Sequence, residues 1–184
     1  LGQMPSRHNA PVSFNVRRQK LRHRRCYRRN YRNLQDPFLT HGKQYIMSNI
    51  SSQAKLFFEA CETGKGWEGC KSYCHPKASF SSQTGALAGI NTLEGYCNWM
   101  KNMFTPVPDG HYELRFFGVD ESRNTVAAYA VFHGTHTGPG GPVEPTGKSV
   151  SADYVYAMNF DGDRIISMTK IWNDTFSLQQ LGWA

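Results

Sequence analysis

Residues 148–173, KSVSADYVYAMNFDGDRIISMTKIWN, decide the fold. Ala152, Tyr154, Tyr156 and Met158 share one parity while Asp153 and Val155 take the other, which is the two-residue period of a strand with one face turned to a core. Asp161-Gly162-Asp163 supplies a tight turn, and a second alternating run follows. The stretch therefore predicts an antiparallel hairpin with strands over Lys148 to Phe160 and Arg164 to Asn173.

Working back toward the N-terminus, two further alternating runs, His111 to Val119 and Thr125 to Thr137, extend the sheet. A loop rich in Gly and Pro, residues 138–147, joins the second of these to the hairpin. Before them the period is helical. Ser51 or Ser52 caps a helix reaching about Cys61, with Ala54, Phe57, Phe58 and Cys61 on its buried face, and Gly64 and Gly66 end it. A short helix over Trp67 to Tyr73 stops at His75-Pro76, and Ala78 to Ser82 reads as a short strand. Asn91 or Thr92 caps a second long helix whose stripe is Leu93, Tyr96, Cys97, Met100, Met103 and Phe104. Leu178 to Leu181 forms a last helical turn. Helices first and a meander after them predict an α+β domain, with a curved antiparallel sheet wrapped over N-terminal helices and a cone-shaped cavity between the layers.

The chain has 184 residues and a formal charge of +7. That charge is unevenly placed: residues 1–46 hold 11 basic residues against the single acid Asp36, and residues 47–184 hold 10 against 13. The alkaline balance thus belongs to the first 46 residues, and the rest is mildly acidic, which argues against phosphate binding by the main domain. Residues 1–46 are read as a basic extension, either a solvated tail or sequence outside the native protein, with the domain over 47–184 opening at Met47. Arg22 to Arg32 interleave with Tyr27 and Tyr31, so nucleic acid could be engaged only through this arm. No apolar run is long enough for a membrane span, and the basic arm does not read as a secretory signal, having neither an apolar run nor a small-residue cleavage site after it; a cytoplasmic protein is expected. The five cysteines are odd in number and irregularly spaced, which predicts free thiols, and Cys70, Cys74 and His75 lack a second ligand pair, so no metal is expected.

Several ordered segments carry a family likeness: His133-Gly134-Thr135-His136-Thr137-Gly138, Pro145-Thr146-Gly147-Lys148-Ser149-Val150, Asp161-Gly162-Asp163-Arg164-Ile165, Trp172 and Gln180-Leu181-Gly182. Together they resemble the SnoaL-like polyketide cyclase family of the nuclear transport factor 2-like superfamily. The resemblance implies the cone-shaped α+β barrel, a homodimer through the outer sheet face, and in some members an aldol cyclisation that needs no cofactor. Such chemistry removes a proton beside a carbonyl and protonates the new oxygen, so it needs a carboxyl or imidazole tuned by its surroundings.

By the same resemblance the essential aspartate lies near the end of the last strand. Asp174 is the catalytic candidate, although ungapped counting places the family's aspartate on Asn173. In a regular strand these two face opposite sides: an inward Asp174 shares its face with Trp172 and Lys170, whereas an inward Asn173 offers an amide and no acid. His136 is the second catalytic candidate, a donor to an enolate oxygen or a proton carrier near neutral pH. Asn173, Trp172, Tyr154, Tyr156, Trp99, Phe104 and His133 complete the expected binding set, with His133 on the opposite strand face from His136. The sequence leaves open an enzyme of aldol cyclase or isomerase type acting on a small apolar carbonyl compound and a non-catalytic ligand-binding or dimerising module.

Overall fold

A computed structural model of the chain describes residues 50–184. The basic arm and the expected start at Met47 lie outside the described residues.

Helix α1 spans Ile50–Glu62, and its buried stripe is Ile50, Ala54, Phe57, Phe58 and Cys61, with Glu62 continuing it four residues after Phe58. Burying Phe57 and Phe58 contributes about 1.5–3 kcal/mol each. The helix ends where Gly64 takes the left-handed φ of +70°, against which the Phe104 ring packs so closely that a Cβ there would lie 2.7 Å from it. Helix α2, Gly66–Cys70, and a 3-10 turn, Lys71–Tyr73, lead into strand β1, Cys74–Ser82. Helix α3, Leu93–Met103, is capped by Thr92, whose hydroxyl accepts the Gly95 N–H at 3.1 Å. Its inner face carries Leu93, Tyr96, Cys97 and Met100.

Four strands follow: β2, His111–Asp120; β3, Thr125–Thr135; β4, Ser149–Asp161; and β5, Arg164–Trp172. The sheet order is β1-β5-β4-β3-β2. The expected antiparallel meander is present in β2 to β5, but the sheet as a whole is mixed, because β1 runs parallel to β5. Its edges are β1 and β2, so the sheet is open and does not close into a barrel. Both edges are irregular. The β2 ladder shifts register between Leu114 and Phe116, and β1 shifts between Cys74 and Ser79 around Pro76, a residue that a sheet interior excludes.

Register explains how the core and the site share one face. Ala128 pairs with Tyr156, which pairs with Lys170; Ala130 pairs with Tyr154, which pairs with Trp172. Small residues on β3 thus leave room for large side chains on β4 and β5 in the two rows facing the helices. All of these except the half-buried Trp172 are buried. A smaller cluster of Val107, Val150, Ala152 and Leu181 closes the far end.

The expected last strand runs one residue short. It ends at Trp172, and helix α4, Asp174–Leu181, begins at once, earlier than the expected turn over Leu178 to Leu181. Asn173 is its N-cap, accepting the Phe176 N–H at 3.0 Å. The cause is local: an Asn followed by an acid in the first turn is a strong helix start. Among the described residues no helix is long and apolar enough to cross a membrane.

Candidate functional site

Between the sheet's inner face and the helices lies a narrow apolar pocket, open to solvent at its mouth, with a cavity volume of about 50 Å³. Trp99, Met100 and Met103 of α3 line one side, Ala152, Tyr154 and Trp172 the sheet side, and Leu178, Leu181 and Trp183 the C-terminal side. Two charged residues reach this apolar wall, Glu62 and Lys170.

Glu62 is 1% exposed. Tyr154 donates to its Oε2 at 2.6 Å and Tyr156 donates to its Oε1. The Lys170 Nζ donates to the Tyr96 hydroxyl at 3.0 Å, and the Tyr96 and Tyr156 hydroxyls are bonded to each other. Each phenol carries one proton. Because Tyr156 spends its own on Glu62, Tyr96 must donate to Tyr156. The chain of hydrogen bonds therefore has one sense, Lys170 to Tyr96 to Tyr156 to Glu62, and Tyr154 meets the carboxylate from the other side.

Burial pushes the Glu62 carboxyl above its ordinary value, opposed by the Lys170 charge and then by the two phenols. Burial likewise pulls Lys170 down to about 8, against the attraction of Glu62. Burial also raises Tyr96 and Tyr156, with the Glu62 charge adding to it. The ammonium sits among ring faces, 4.7 Å from the Trp172 centroid, 4.9 Å from Tyr154 and 5.3 Å from Tyr96, which favours its charged form. The result is a poorly solvated carboxyl at the pocket wall whose affinity for a proton is raised by burial, with the Tyr154 hydroxyl donating to it.

The residues expected from sequence divide sharply. Tyr154, Trp99 and Trp172 line the pocket, with the Trp172 Nε1–H donating to the Ser177 hydroxyl at 2.7 Å. Tyr156 stands behind them, fully buried in the hydrogen-bonded chain. Asp174 does not continue the strand face that carries Lys170 and Trp172. It opens α4, and its carboxylate accepts the Ala86 N–H at 3.0 Å, tying down the Gly85–Leu87 turn. Asn173 is spent on its helix cap.

His136 lies just past β3, fully buried, but outside the pocket lining. Its Nδ1 accepts the Trp183 Nε1–H at 2.9 Å, which places the proton of the neutral ring on Nε2. Among the described residues that Nε2 has no partner, and it faces Gly141, where a Cβ would come within 2.8 Å. His133 points away, its ring 5.3 Å from His111 and its Nε2 3.8 Å from a Glu113 oxygen. Phe104 packs over Gly64 and is not a pocket residue.

Glu62 is the residue that sequence reasoning missed. The signal was there: Ala54, Phe58 and Glu62 recur at four-residue steps, so the acid sits on the apolar stripe where a solvated glutamate does not belong. Lys170 sat in plain view as an inward-facing strand residue.

The model of the SnoaL-like polyketide cyclase family matches residues 52–181. No curated protein matches the chain. Among solved structures, AclR of Streptomyces galilaeus, a candidate hydroxylase, is 20% identical with a TM-score of 0.61, covering 75% of this chain and 87% of its own. Wild-type IdmH of Streptomyces antibioticus, a candidate polyketide cyclase, is 21% identical with a TM-score of 0.61, covering 72% and 98%. TerC, co-crystallised with polyporic acid, is 13% identical with a TM-score of 0.56, covering 73% and 99%. At such identities the likeness speaks to the fold, which is the nuclear transport factor 2-like architecture built above, and the family model matches most of the chain. The chain belongs to the SnoaL-like polyketide cyclase family.

Proposed function

We propose that the pocket binds a small, flat, apolar carbonyl compound and catalyses cofactor-free acid-base chemistry on it, of aldol cyclase or isomerase type. The observation that carries this reading is the buried Glu62 carboxyl held by Tyr154 and Tyr156 at an apolar pocket. Glu62, its proton affinity raised by burial, takes a proton from the carbon beside the carbonyl and passes it to Tyr154 to replace the one that Tyr154 gives to the carbonyl or enolate oxygen. The Lys170 ammonium, through Tyr96 and Tyr156, supports the carboxylate between turnovers.

The rival reading is a binding module without catalysis. One observation favours it: both Glu62 oxygens already accept tyrosine hydroxyls, as in a structural buried ion pair. A single experiment separates the two. Flat aromatic ketones with a hydrogen on the carbon beside the carbonyl are screened for binding, and for each binder the exchange of that hydrogen is followed by NMR in D2O. An enzyme accelerates exchange, and Glu62→Gln slows it by about a hundredfold or more while binding persists. A binding module takes up the compound without exchange. Equal loss in Asp174→Asn would return the catalytic role to Asp174.

The same proposal covers assembly and place. The outer sheet face exposes Phe116, Ile166 and Ile171, which supports a homodimer through that face, working in the cytoplasm.

A further inference from the structure

The helical layer gathers three cysteines that are far apart in sequence. Cys61 lies on α1, Cys70 ends α2 and Cys97 lies on α3, and all three are fully buried. Their sulfur atoms lie within 4.8 Å of one another. A triangle with no side above 4.8 Å fits inside a circle of radius 4.8/√3, so one point lies within about 2.8 Å of all three sulfurs. Metal–thiolate bonds are about 2.3 Å. Each sulfur therefore needs to move by only about half an ångström to ligate an ion at that point.

We propose that Cys61, Cys70 and Cys97 form a three-sulfur site for a soft monovalent cation, Cu(I). Among the described residues no fourth His, Cys, Asp or Glu joins the group. Cys74, the nearest other thiol in sequence, donates instead to the Cys70 carbonyl at 3.5 Å. The sulfurs are shielded from water, so a fourth ligand from solvent is excluded. Zinc in a closed site takes four ligands in a tetrahedron; Cu(I) is matched to soft sulfur donors and does not demand a fourth.

Binding exchanges the S–H bonds of Cys61, Cys70 and Cys97 for three S–Cu bonds and releases their protons to solvent; no electron moves. Loading accompanies folding or a local opening of α2, since the closed cluster offers no surface. The spacing of these residues in the chain, 9 and 27 positions, matches no metal-binding motif.

The test uses the full chain, reduced and desalted under anaerobic conditions. Cu(I) is supplied as its acetonitrile complex in competition with bathocuproine disulfonate, both to folded protein and during refolding. The expected result is one copper retained per chain on at least one of the two routes, with an absorption shell of three sulfurs at about 2.3 Å in the X-ray spectrum. Cys61→Ser and Cys97→Ser each weaken binding by about a hundredfold or more, whereas Cys26→Ser and Cys74→Ser do not. No retention on either route, a shell with fewer than three sulfurs, or equal affinity in Cys61→Ser and Cys97→Ser overturns the proposal. The stoichiometry and the spectrum of the unaltered protein decide it even where a serine variant fails to fold.

Discussion

Replacing Lys170 with Met removes the buried ammonium but keeps an unbranched side chain of similar reach in the ring-lined slot. The folded state holds this lysine at about 8, against an ordinary value of 10.5. Its affinity for a proton is therefore lower in the folded chain than in the unfolded one. Between these two values the unfolded chain binds more protons, so stability rises with pH across the window. Two and a half pH units at about 1.4 kcal/mol each give a cost of about 3 kcal/mol for the charged lysine at pH 8 and below, falling to about 1 kcal/mol by pH 10. Glu62 works in the opposite sense, losing its contribution as pH rises from 4.5 through its raised folded value. The assay is urea unfolding followed by tryptophan fluorescence, in reductant, at pH 8, 9 and 10. The wild type gains about 2 kcal/mol relative to Lys170→Met from pH 8 to pH 10, since thiols and phenols titrate in both chains and largely cancel. In a Glu62→Gln background the gain begins at lower pH, because the attraction that holds the lysine up is gone. A flat difference refutes the reasoning: it would mean that Glu62 and the ring faces of Trp172, Tyr154 and Tyr96 offset the whole desolvation cost.

Two further substitutions test the scaffold. In Gly138→Ala the new Cβ would fall 1.9 Å from the Thr105 carbonyl oxygen, a backbone atom that cannot rotate away, so stability drops by about 1–3 kcal/mol; Gly89→Ala, with open space around it, serves as the control in the same urea titration. Asn173→Ala removes the α4 cap bond to Phe176 and costs about 1 kcal/mol, read from the unfolding midpoint, with no effect on ligand affinity beyond that loss; a specific loss of affinity would place Asn173 back in the pocket.

The strands were legible because alternation is a local property: Ala152, Tyr154, Tyr156 and Met158 declare their face without reference to any partner. The parallel pairing of β1 with β5 was not, since it joins residues such as Phe80 and Met168 that share no local pattern. The candidate site was half legible. Tyr154, Trp99 and Trp172 followed from parity and helical spacing. Asp174 was misplaced because a strand was continued through a helix start, although Asn173 next to an acid is itself a start signal. Glu62 went unseen because an acid at the end of a helix is ordinarily solvated, and only the packing of α1 against β4 reveals what surrounds it. The three-cysteine cluster depends on three helices meeting, a fact of tertiary structure with no signature in the order of residues.

The two irregular edges of the sheet constrain how copies of the chain can meet. An unbroken outer strand offers a ladder of free backbone groups on which another chain can polymerise. Here β2 shifts register between Leu114 and Phe116 and carries the Glu113 and Arg115 pair, 2.8 Å apart, while β1 breaks its register around Pro76 and has lost a donor there. Both breaks interrupt the regular ladder of free backbone groups that edge-to-edge growth requires.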